Sequence, residues 1–258
     1  MAKIIVVVNQ KGGVGKTTSA VNIAAGLGAM EIPTLLIDLD PQANATTGFG
    51  IQISETETSI YEALLGHEVL ENTILTTSIR YLDIAPSSQR LVGAEVEMVG
   101  ILGREQILKN AIEPIKQKYE FILIDCPPSL GLLTINALTA GDSVLIPIQC
   151  EYYALEGFSQ LLNTIGMIRK SINPRLAIEG VLVTMFDSRL NLSKQVTAEV
   201  RDYFGDKMYK TMIKRNVRLG EAPSHGKPII LYDAMSTGAQ NYMALVEEML
   251  NGQEKVAR

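Results

Sequence analysis

Residues 9–18 combine two lysines, three glycines and two threonines in a spacing that suits phosphate binding. Glycines allow the tight turn that points backbone N–H groups at an anion. Lys16 supplies a positive charge for the β- and γ-phosphates of a nucleotide, and Thr17 offers a hydroxyl ligand to Mg²⁺. A helix that begins at Lys16 would add the positive end of its dipole. The chemistry predicted for this loop is the binding of a magnesium nucleotide.

The loop matches the pattern G-x-x-x-x-G-K-[ST], except that Asn9 or Gln10 stands where the first glycine usually lies. A chance glycine-rich turn is the alternative interpretation. An apolar β-branched run before the loop and a helix-forming stretch after it are the context that the motif requires, and both are present. The residues expected to bind the phosphates are Gly12, Gly13, Val14, Gly15, Lys16, Thr17 and Thr18.

Three aspartates follow or end predicted strands. Asp38 and Asp40 lie at the end of the second strand, and Asp125 ends the fourth. One aspartate at a strand end would ordinarily form a turn or cap a helix. Three at the edge where ligands of α/β sheets bind favour a catalytic reading. Asp125, after four apolar residues, resembles a Walker-B aspartate that holds Mg²⁺, and Asp40 is expected to position or polarise the attacking water.

These side chains require an α/β framework to position them. Continuous apolar runs predict strands at residues 4–8, 34–40, 81–85, 121–125, 143–148 and 180–185. Helical patterns lie at residues 16–29, 59–65, 104–118, 132–140, 154–171, 192–204 and 239–250. The alternation predicts a doubly wound, mainly parallel sheet flanked by helices. We expect one domain over residues 1–250 and a polar tail over 251–258.

The composition of the chain limits the kinds of partner that it is expected to bind. The chain has 258 residues, is 47% hydrophobic and carries a net charge of −5, so any DNA contact must be local. The small number of cysteines, two, is consistent with reduced thiols, and we interpret Cys126 as a packing residue. The N-terminal apolar run is too short for a signal peptide, and no run approaches a membrane span. A cytoplasmic location is expected.

Four segments together resemble the ParA/Soj partition ATPases of the deviant Walker-A group, which also holds MinD-like proteins and the nitrogenase iron protein. The segments are Lys-Gly-Gly-Val-Gly-Lys-Thr-Thr at 11–18, Asp-Leu-Asp-Pro-Gln-Ala-Asn-Ala-Thr at 38–46, Asp-Cys-Pro-Pro-Ser-Leu-Gly at 125–131, and the stretch from Arg-Asn-Val-Arg-Leu at 215–219 to residue 229. The first marks the wider group, and Asp-Pro-Gln-x-Asn and Arg-Asn-Val-Arg point to the ParA branch. The resemblance spans almost the whole chain and implies a P-loop fold and Mg²⁺-dependent ATP hydrolysis.

The resemblance also implies a role for Lys11, which by itself would read as a solvated loop charge. In the family it reaches across a homodimer to the nucleotide of the other subunit, as an arginine finger does. Two ATP molecules then lie between two subunits. Asp40 belongs to the first switch segment and Asp125 begins the second, so loss of the γ-phosphate would relax both.

For the base, the family uses the loop around Lys214 and Asn216. The Asn216 amide can offer a donor and an acceptor to adenine, although a plain turn residue is the alternative reading. Relatives often carry a proline in place of Lys214. The Lys214 backbone carbonyl remains a possible contact to the base.

A basic segment suggests contact with DNA. Residues 201–227 hold seven basic and three acidic side chains, a net charge of +4 in an acidic chain. This suits phosphate-backbone contact without base reading, although an ordinary solvated basic face is the alternative. The resemblance implies nonspecific DNA binding by the ATP dimer, with Arg189 and Arg218 at matching positions, on the nucleoid. It further implies a ParB-like centromere-binding partner that stimulates hydrolysis.

Three rival functions share this scaffold. A MinD-like division-site regulator needs a basic amphipathic C-terminal helix for the membrane, and the end of this chain is acidic. An iron–sulfur enzyme needs bridging cysteines, which Cys126 and Cys150 do not match. Positioning of a protein cargo on the nucleoid stays open, because a partner protein selects the cargo.

Overall fold

Seven strands form one sheet in the computed structural model, which describes residues 2–54, 57–151 and 156–256. The strand order is β3-β4-β2-β5-β1-β6-β7, and every pairing is parallel except that of β3 with β4. The doubly wound α/β prediction is therefore confirmed. The strands are β1 (Lys3–Val7), β2 (Thr34–Asp38), β3 (Leu75–Thr76), β4 (Leu82–Ala85), β5 (Phe121–Asp125), β6 (Ser143–Gln149) and β7 (Ala177–Thr184).

The central strands are apolar on both faces because helices cover both sides of the sheet. Alternate residues of β1 enter two separate cores: Ile4 and Val6 pack into one, and Ile5 and Val7 into the other. All residues of β2 and β5 are buried. The observed parallel registers place Val7, Asp125 and Asp38 side by side at the carboxyl edge of the sheet.

Helices surround the sheet and connect its parallel strands. They are α1 (Lys16–Ala29), α2 (Asn44–Thr47), α3 (Ile60–Leu65), α4 (Leu70–Thr73), α5 (Leu91–Glu97), α6 (Ile107–Ile112), α7 (Leu132–Ala140), α8 (Glu156–Ser171), α9 (Asn191–Phe204), α10 (Val217–Glu221), α11 (Ile229–Tyr232) and α12 (Thr237–Val256). Further turns of 3₁₀ helix lie at Met98–Gly100, Arg104–Gln106, Glu113–Lys118, Gly205–Lys207 and Ala222–His225.

The sequence predicts most of these helices and strands, and the differences between the prediction and the structure have local causes. The helix predicted at residues 104–118 is broken into a 3₁₀ turn, α6 and a second 3₁₀ turn, and Pro114 lies at the start of that second turn. A proline has no N–H for the helical ladder. Helices of four or five residues and the two-residue β3 are too short to show a hydrophobic period, so the sequence does not reveal them.

The last helix, α12, runs six residues past the boundary predicted at Leu250 and into the stretch expected to be a polar tail. Gln253, Glu254 and Lys255 are good helix formers that continue the preceding turns. Residues 257 and 258 lie outside the described residues, as do residues 154 and 155 of the helix predicted at 154–171. The division into one domain and a tail stays a prediction.

Candidate nucleotide-binding site

A cavity of about 550 Å³ opens at the carboxyl edge of the sheet. Its walls come from the loop after β1, the segments after β2 and β5, the end of β7, residues 213–220 and α12. Ligands of doubly wound sheets bind at this edge. The predicted site residues that line it are Gly12, Gly13, Gly15, Lys16, Thr17, Thr18, Asp40, Lys214 and Asn216.

The glycine loop leaves open space where side chains would stand. Gly13 and Gly15 have φ values of 74° and 83°, a region that side-chain-bearing residues avoid. A Cβ built on Gly12 or Gly13 would meet no atom within 4 Å. Helix α1 begins directly after Gly15 with no side-chain cap and no acidic residue in its first turn. Its first N–H groups and its dipole are therefore directed at whatever anion fills the loop.

Lys16 is the cation at the base of this loop. Its side chain is buried, and its Nζ donates a hydrogen bond of 3.1 Å to the Lys11 carbonyl oxygen. Burial lowers the pKa of Lys16, while the nearby carboxylates of Asp125 and Asp40 act in the opposite direction. A buried ammonium group held against a carbonyl, with an open anion cradle beside it, suits a phosphate group.

Asp125 is fully buried, and neither of its carboxylate oxygens has a hydrogen-bond partner of acceptable geometry. Burial raises its pKa well above the usual range, and Asp38, which lies directly opposite it in the β2–β5 register, adds to the rise. The Thr17 hydroxyl lies close enough to lower that pKa in part. A buried carboxylate without a partner, beside a threonine hydroxyl, is a donor set that fits Mg²⁺.

Asp38 has a different task from the other two acids. Its Oδ2 accepts hydrogen bonds from the Thr46 backbone N–H at 2.8 Å and the Thr46 hydroxyl at 2.7 Å. The same hydroxyl accepts from the Ser87 N–H, and the Ser87 hydroxyl donates to the Asp40 carbonyl at 2.6 Å. Burial raises the pKa of Asp38 to about 6. Asp38 thus anchors the segment that carries Asp40, and Asp40 itself lines the cavity.

Lys11 does not line the cavity of its own chain. Its Nζ forms an ion pair with the Glu151 carboxylate, just beyond β6. The Asn9 side chain fixes the loop beneath it, because its Oδ1 accepts from the Lys11 N–H at 3.0 Å and its Nδ2 donates to the Pro147 carbonyl at 2.8 Å. In the single chain the lysine is therefore directed away from the predicted phosphate position.

The predicted base-contacting residue Asn216 is also a helix cap. Its Oδ1 accepts the Arg218 N–H at 2.8 Å at the start of α10. Asn216 also lines the cavity. The turn-residue reading and the base-contact reading are compatible in this geometry.

Comparison with known proteins identifies the framework. A family model described as an AAA domain matches residues 2–178. The sporulation initiation inhibitor protein Soj of Bacillus subtilis (strain 168) is 57% identical over 249 residues, covering 96% of this chain and 98% of that protein. The chromosome partitioning protein ParA of Myxococcus xanthus (strain DK1622) is 53% identical over 250 residues, covering 97% and 88%. The chain belongs to the ParA/Soj family.

A solved structure agrees with this family fold. Cobyrinic acid a,c-diamide synthase from Mycobacterium smegmatis is 33% identical, with a TM-score of 0.87 over 98% of this chain and 96% of that one. It was solved with bound ADP and magnesium and with a bound ATP analogue and magnesium. The two chains therefore share the same overall fold.

Sequence reasoning missed several walls of the ParA/Soj cavity. Thr184 ends β7 and lines the cavity, and its hydroxyl donates to the Val14 carbonyl at 2.8 Å. The predicted Val14 has a buried side chain and does not line the cavity. Met185 follows with φ of 51°, and Tyr242 enters from α12, where its hydroxyl lies 3.1 Å from that of Ser19. No local motif marks these positions, because they come from distant parts of the chain.

The two arginines proposed for DNA lie outside the cavity of this ParA/Soj-family chain. Arg189 is 85% exposed, and its hydrogen bonds lower the pKa of Asp187 to about 2. Arg218 is 55% exposed and is flanked by Glu221 at 2.9 Å and Asp233 at 3.7 Å. The seven basic side chains of residues 201–227 are all exposed. The structure therefore presents the predicted cations, but carboxylates already pair with both arginines.

An Asp125→Asn variant tests the proposed magnesium ligand. Because the folded-state pKa of Asp125 lies above its unfolded value, ionisation costs stability as pH rises through the folded-state pKa. Without nucleotide, the variant should melt above the parent near neutral pH by roughly 2–4 °C, equivalent to about 1 kcal/mol. The difference should shrink toward pH 4, where the parent carboxyl is protonated.

Melting curves over a pH series, with and without Mg²⁺ and ATP, provide the measurement. With both present, the parent should gain the larger thermal shift, because the asparagine is a poor Mg²⁺ ligand. Asp206→Asn, at an exposed position, serves as the control. Equal thermal shifts for Asp125→Asn and the parent would remove Asp125 from the metal site.

Proposed function

We propose that this chain is a Mg²⁺-dependent partition ATPase whose ATP-bound form is a homodimer that binds DNA without sequence preference. The supporting observation is the arrangement, at one edge of the sheet, of an open glycine cradle, a buried Lys16 that lines the cavity, and a buried Asp125 that lacks a hydrogen-bond partner and lies close enough to Lys16 for their charges to interact. Buried charges of this kind are costly unless a ligand compensates them. MgATP supplies the matching triphosphate and cation, and the relatives carry the names of partition proteins.

The proposal gives a task to the main polar residues in and beside the cavity. Lys16 and the first N–H groups of α1 neutralise the phosphates, while Thr17 and Asp125 would hold Mg²⁺. Asp40 accepts a proton or hydrogen bond from the water that attacks the terminal phosphate. Asp38, through Thr46, holds the Asp40 segment in place before any ligand arrives. MgATP provides the anhydride bond that is broken.

Dimerisation requires a change at Lys11. To reach the nucleotide of a second copy, its ammonium group must leave Glu151, and both side chains are substantially exposed. An exposed ion pair contributes little, about 0–1 kcal/mol, so it is easily exchanged for a phosphate. The triphosphate would then join two copies, and its hydrolysis would let them separate.

DNA binding would use the basic segment and Arg189. Phosphates must displace Asp187, Glu221 and Asp233 from the arginines, and two copies in a dimer present twice the charge of one. A ParB-like protein at a centromere-like site would stimulate hydrolysis and release the dimer. Association with the nucleoid follows from this scheme, whether the cargo is a chromosome, a plasmid or a protein assembly.

Two of the rival functions, the membrane-bound regulator and the iron–sulfur enzyme, lack structural support. The apolar stripe of α12, namely Tyr242, Leu245, Val246 and Met249, is buried against the sheet and α1 and cannot anchor a membrane while it is packed there. Among the described helices none is both long and apolar enough to cross a bilayer. Cys126 and Cys150 are buried, so neither is presented for a cluster shared between subunits.

Size-exclusion chromatography tests the proposal. Mg²⁺ and ATP should shift the protein from 28.1 kDa to twice that mass, and added DNA should co-elute only with the larger species. Arg218→Glu should still dimerise but lose DNA, and raised salt should have the same effect on the parent. Lys118→Glu changes the charge by the same amount at an exposed, glutamate-paired site outside the basic segment and is the matched control. An unchanged elution volume with ATP would refute the cycle, and retained DNA binding by Arg218→Glu would refute the surface.

A further inference from the structure

The backbone of Asp40 is held through the peptides on both sides of its Cα atom. In the peptide before it, the Asp40 N–H donates to the Asp38 Oδ1 at 3.2 Å. In the peptide after it, the Asp40 carbonyl accepts from the Ser87 hydroxyl at 2.6 Å and from the Ala43 N–H at 2.9 Å. Each peptide is planar, so bonds to both of them fix the direction in which the Asp40 side chain leaves the backbone.

The Thr46 hydroxyl lies between the two side chains that hold these peptides. It donates to the Asp38 Oδ2 at 2.7 Å and accepts from the Ser87 N–H at 2.9 Å. One hydroxyl group therefore connects Asp38, which holds the peptide before Asp40, with Ser87, which holds the peptide after it.

The three connected residues come from different elements and are all buried. Asp38 ends β2, Thr46 belongs to α2, and Ser87 follows β4, the neighbour of β2 in the sheet. Each of the three is at most 1% exposed. A buried polar group that loses its partner is left unsatisfied, because bulk water does not reach it. Removal of the Thr46 hydroxyl would therefore disturb both Asp38 and Ser87.

We propose that Thr46 is a positioning residue for ATP hydrolysis, whose hydroxyl keeps Asp38 and Ser87 in the arrangement that directs the Asp40 carboxylate at the attacking water. This inference rests on the proposed ATPase activity and on the task given there to Asp40. Thr46 does not line the cavity, whereas Asp40 does, so the hydroxyl contributes to the rate of hydrolysis and not to the affinity for ATP. A displacement of about 1 Å at a reacting group is enough to slow an enzyme by roughly a hundredfold.

Two substitutions at Thr46 separate the hydroxyl from the rest of the side chain. Thr46→Val removes the hydroxyl and keeps the β-branched shape, whereas Thr46→Ser keeps the hydroxyl and removes the methyl group. Calorimetry with Mg²⁺ and ATP gives the Kd and the number of binding sites. Hydrolysis at saturating ATP, with Mg²⁺ and plasmid DNA, gives kcat for each binding site. We expect Thr46→Val to lose about tenfold in kcat with the Kd unchanged, the scale of one hydrogen bond, and Thr46→Ser to retain the parent kcat.

Thr73→Val is the matched control. Thr73 is as buried as Thr46, and its hydroxyl donates to the Leu70 carbonyl at 2.9 Å within α4. Neither of these two α4 residues lines the cavity. The control variant should keep the parent kcat for each site and the parent Kd, even where its melting temperature falls.

A merely structural role for Thr46 gives a different result. Thr46→Val would then lose folded protein and binding sites, while kcat for each remaining site stayed at the parent value, and this would overturn the inference. An equal loss of kcat in Thr46→Ser would also overturn it, because the hydroxyl is retained there.

If Thr46→Val does not fold, Thr46→Ala decides the question. The space left beside Asp38 and Ser87 then has room for a water molecule that satisfies both groups without being attached to the segment of Asp40. The same loss of kcat is expected, and a parent value would overturn the inference. A parent protein that does not bind or hydrolyse ATP would refute the proposed function instead, whereas an active parent with an equally active Thr46→Val would refute only the role of Thr46.

Discussion

Replacing Lys16 with alanine should abolish measurable ATP binding at ordinary concentrations. The side chain is buried in the cavity, and burial lowers its pKa while Asp125 and Asp40 oppose that change. Its removal leaves the incoming phosphates and both carboxylates without a cation. Loss of one member of a buried charge pair costs about 3–5 kcal/mol, which corresponds to a weakening of the Kd by a hundredfold or more on the order-of-magnitude scale.

Calorimetry with ATP and Mg²⁺ provides the measurement, and Lys11→Ala is the internal control. Both lysines belong to the same loop, but only Lys16 lines the cavity of its own chain. Lys11→Ala should therefore bind ATP with nearly the parent affinity when the protein is dilute and monomeric. Tight ATP binding by Lys16→Ala would contradict the assignment of this cavity to the triphosphate.

The second large effect concerns Lys11 and turnover. If Lys11 reaches the nucleotide of the second copy, Lys11→Ala should lose partner-stimulated ATP hydrolysis by on the order of 10³, the scale of a cationic finger supplied in trans. The reason is electrostatic, since negative charge that builds up on the transferred phosphoryl group would have no cation from the other subunit.

Steady-state hydrolysis with the cognate ParB-like protein and DNA provides that test. Lys118→Ala is a matched control, because Lys118 is also an exposed lysine paired with a glutamate, Glu71, but precedes β5 at the opposite edge of the sheet. Mixing Lys11→Ala with Asp40→Ala separates the roles further. A mixed dimer has one site with an intact Asp40 and a partner Lys11, so partial recovery of activity is expected. Full stimulated activity of Lys11→Ala alone would eliminate the role in trans.

The framework was predictable because its signals are local. The bounds of α1 and β5 match the sequence prediction. An apolar run and a helical hydrophobic period can each be recognised within a short stretch of sequence. Motif spacing predicts the glycine loop with Lys16 and Thr17, and the end of a predicted strand indicates Asp125. The helix predicted at 104–118 shows the limit, because its division into separate turns depends on how each turn packs.

Contacts between residues that are far apart in the chain could not be predicted from the sequence. Glu151 is 140 positions from the Lys11 that it pairs with, and Asp233 approaches Arg218 from outside the basic segment. Asn241 of α12, whose Oδ1 accepts a hydrogen bond from the Lys214 N–H, is likewise distant in sequence from its partner. The residue types of these partners do not indicate a long-range contact, because glutamates, aspartates and asparagines are common on exposed helices and loops.

The sequence alone therefore determined the chemistry proposed for the glycine loop, because a few contiguous residues must bend a chain around an anion and their types are dictated by that task. Tertiary structure alone decided the remaining features. Asp38 is hydrogen-bonded to Thr46 whereas Asp125 has no partner, Lys11 is paired with Glu151 outside the cavity, and Tyr242 of α12 forms part of the cavity wall. Those outcomes depend on which distant groups burial brings together, and the free energy of burial is a property of the whole packed chain.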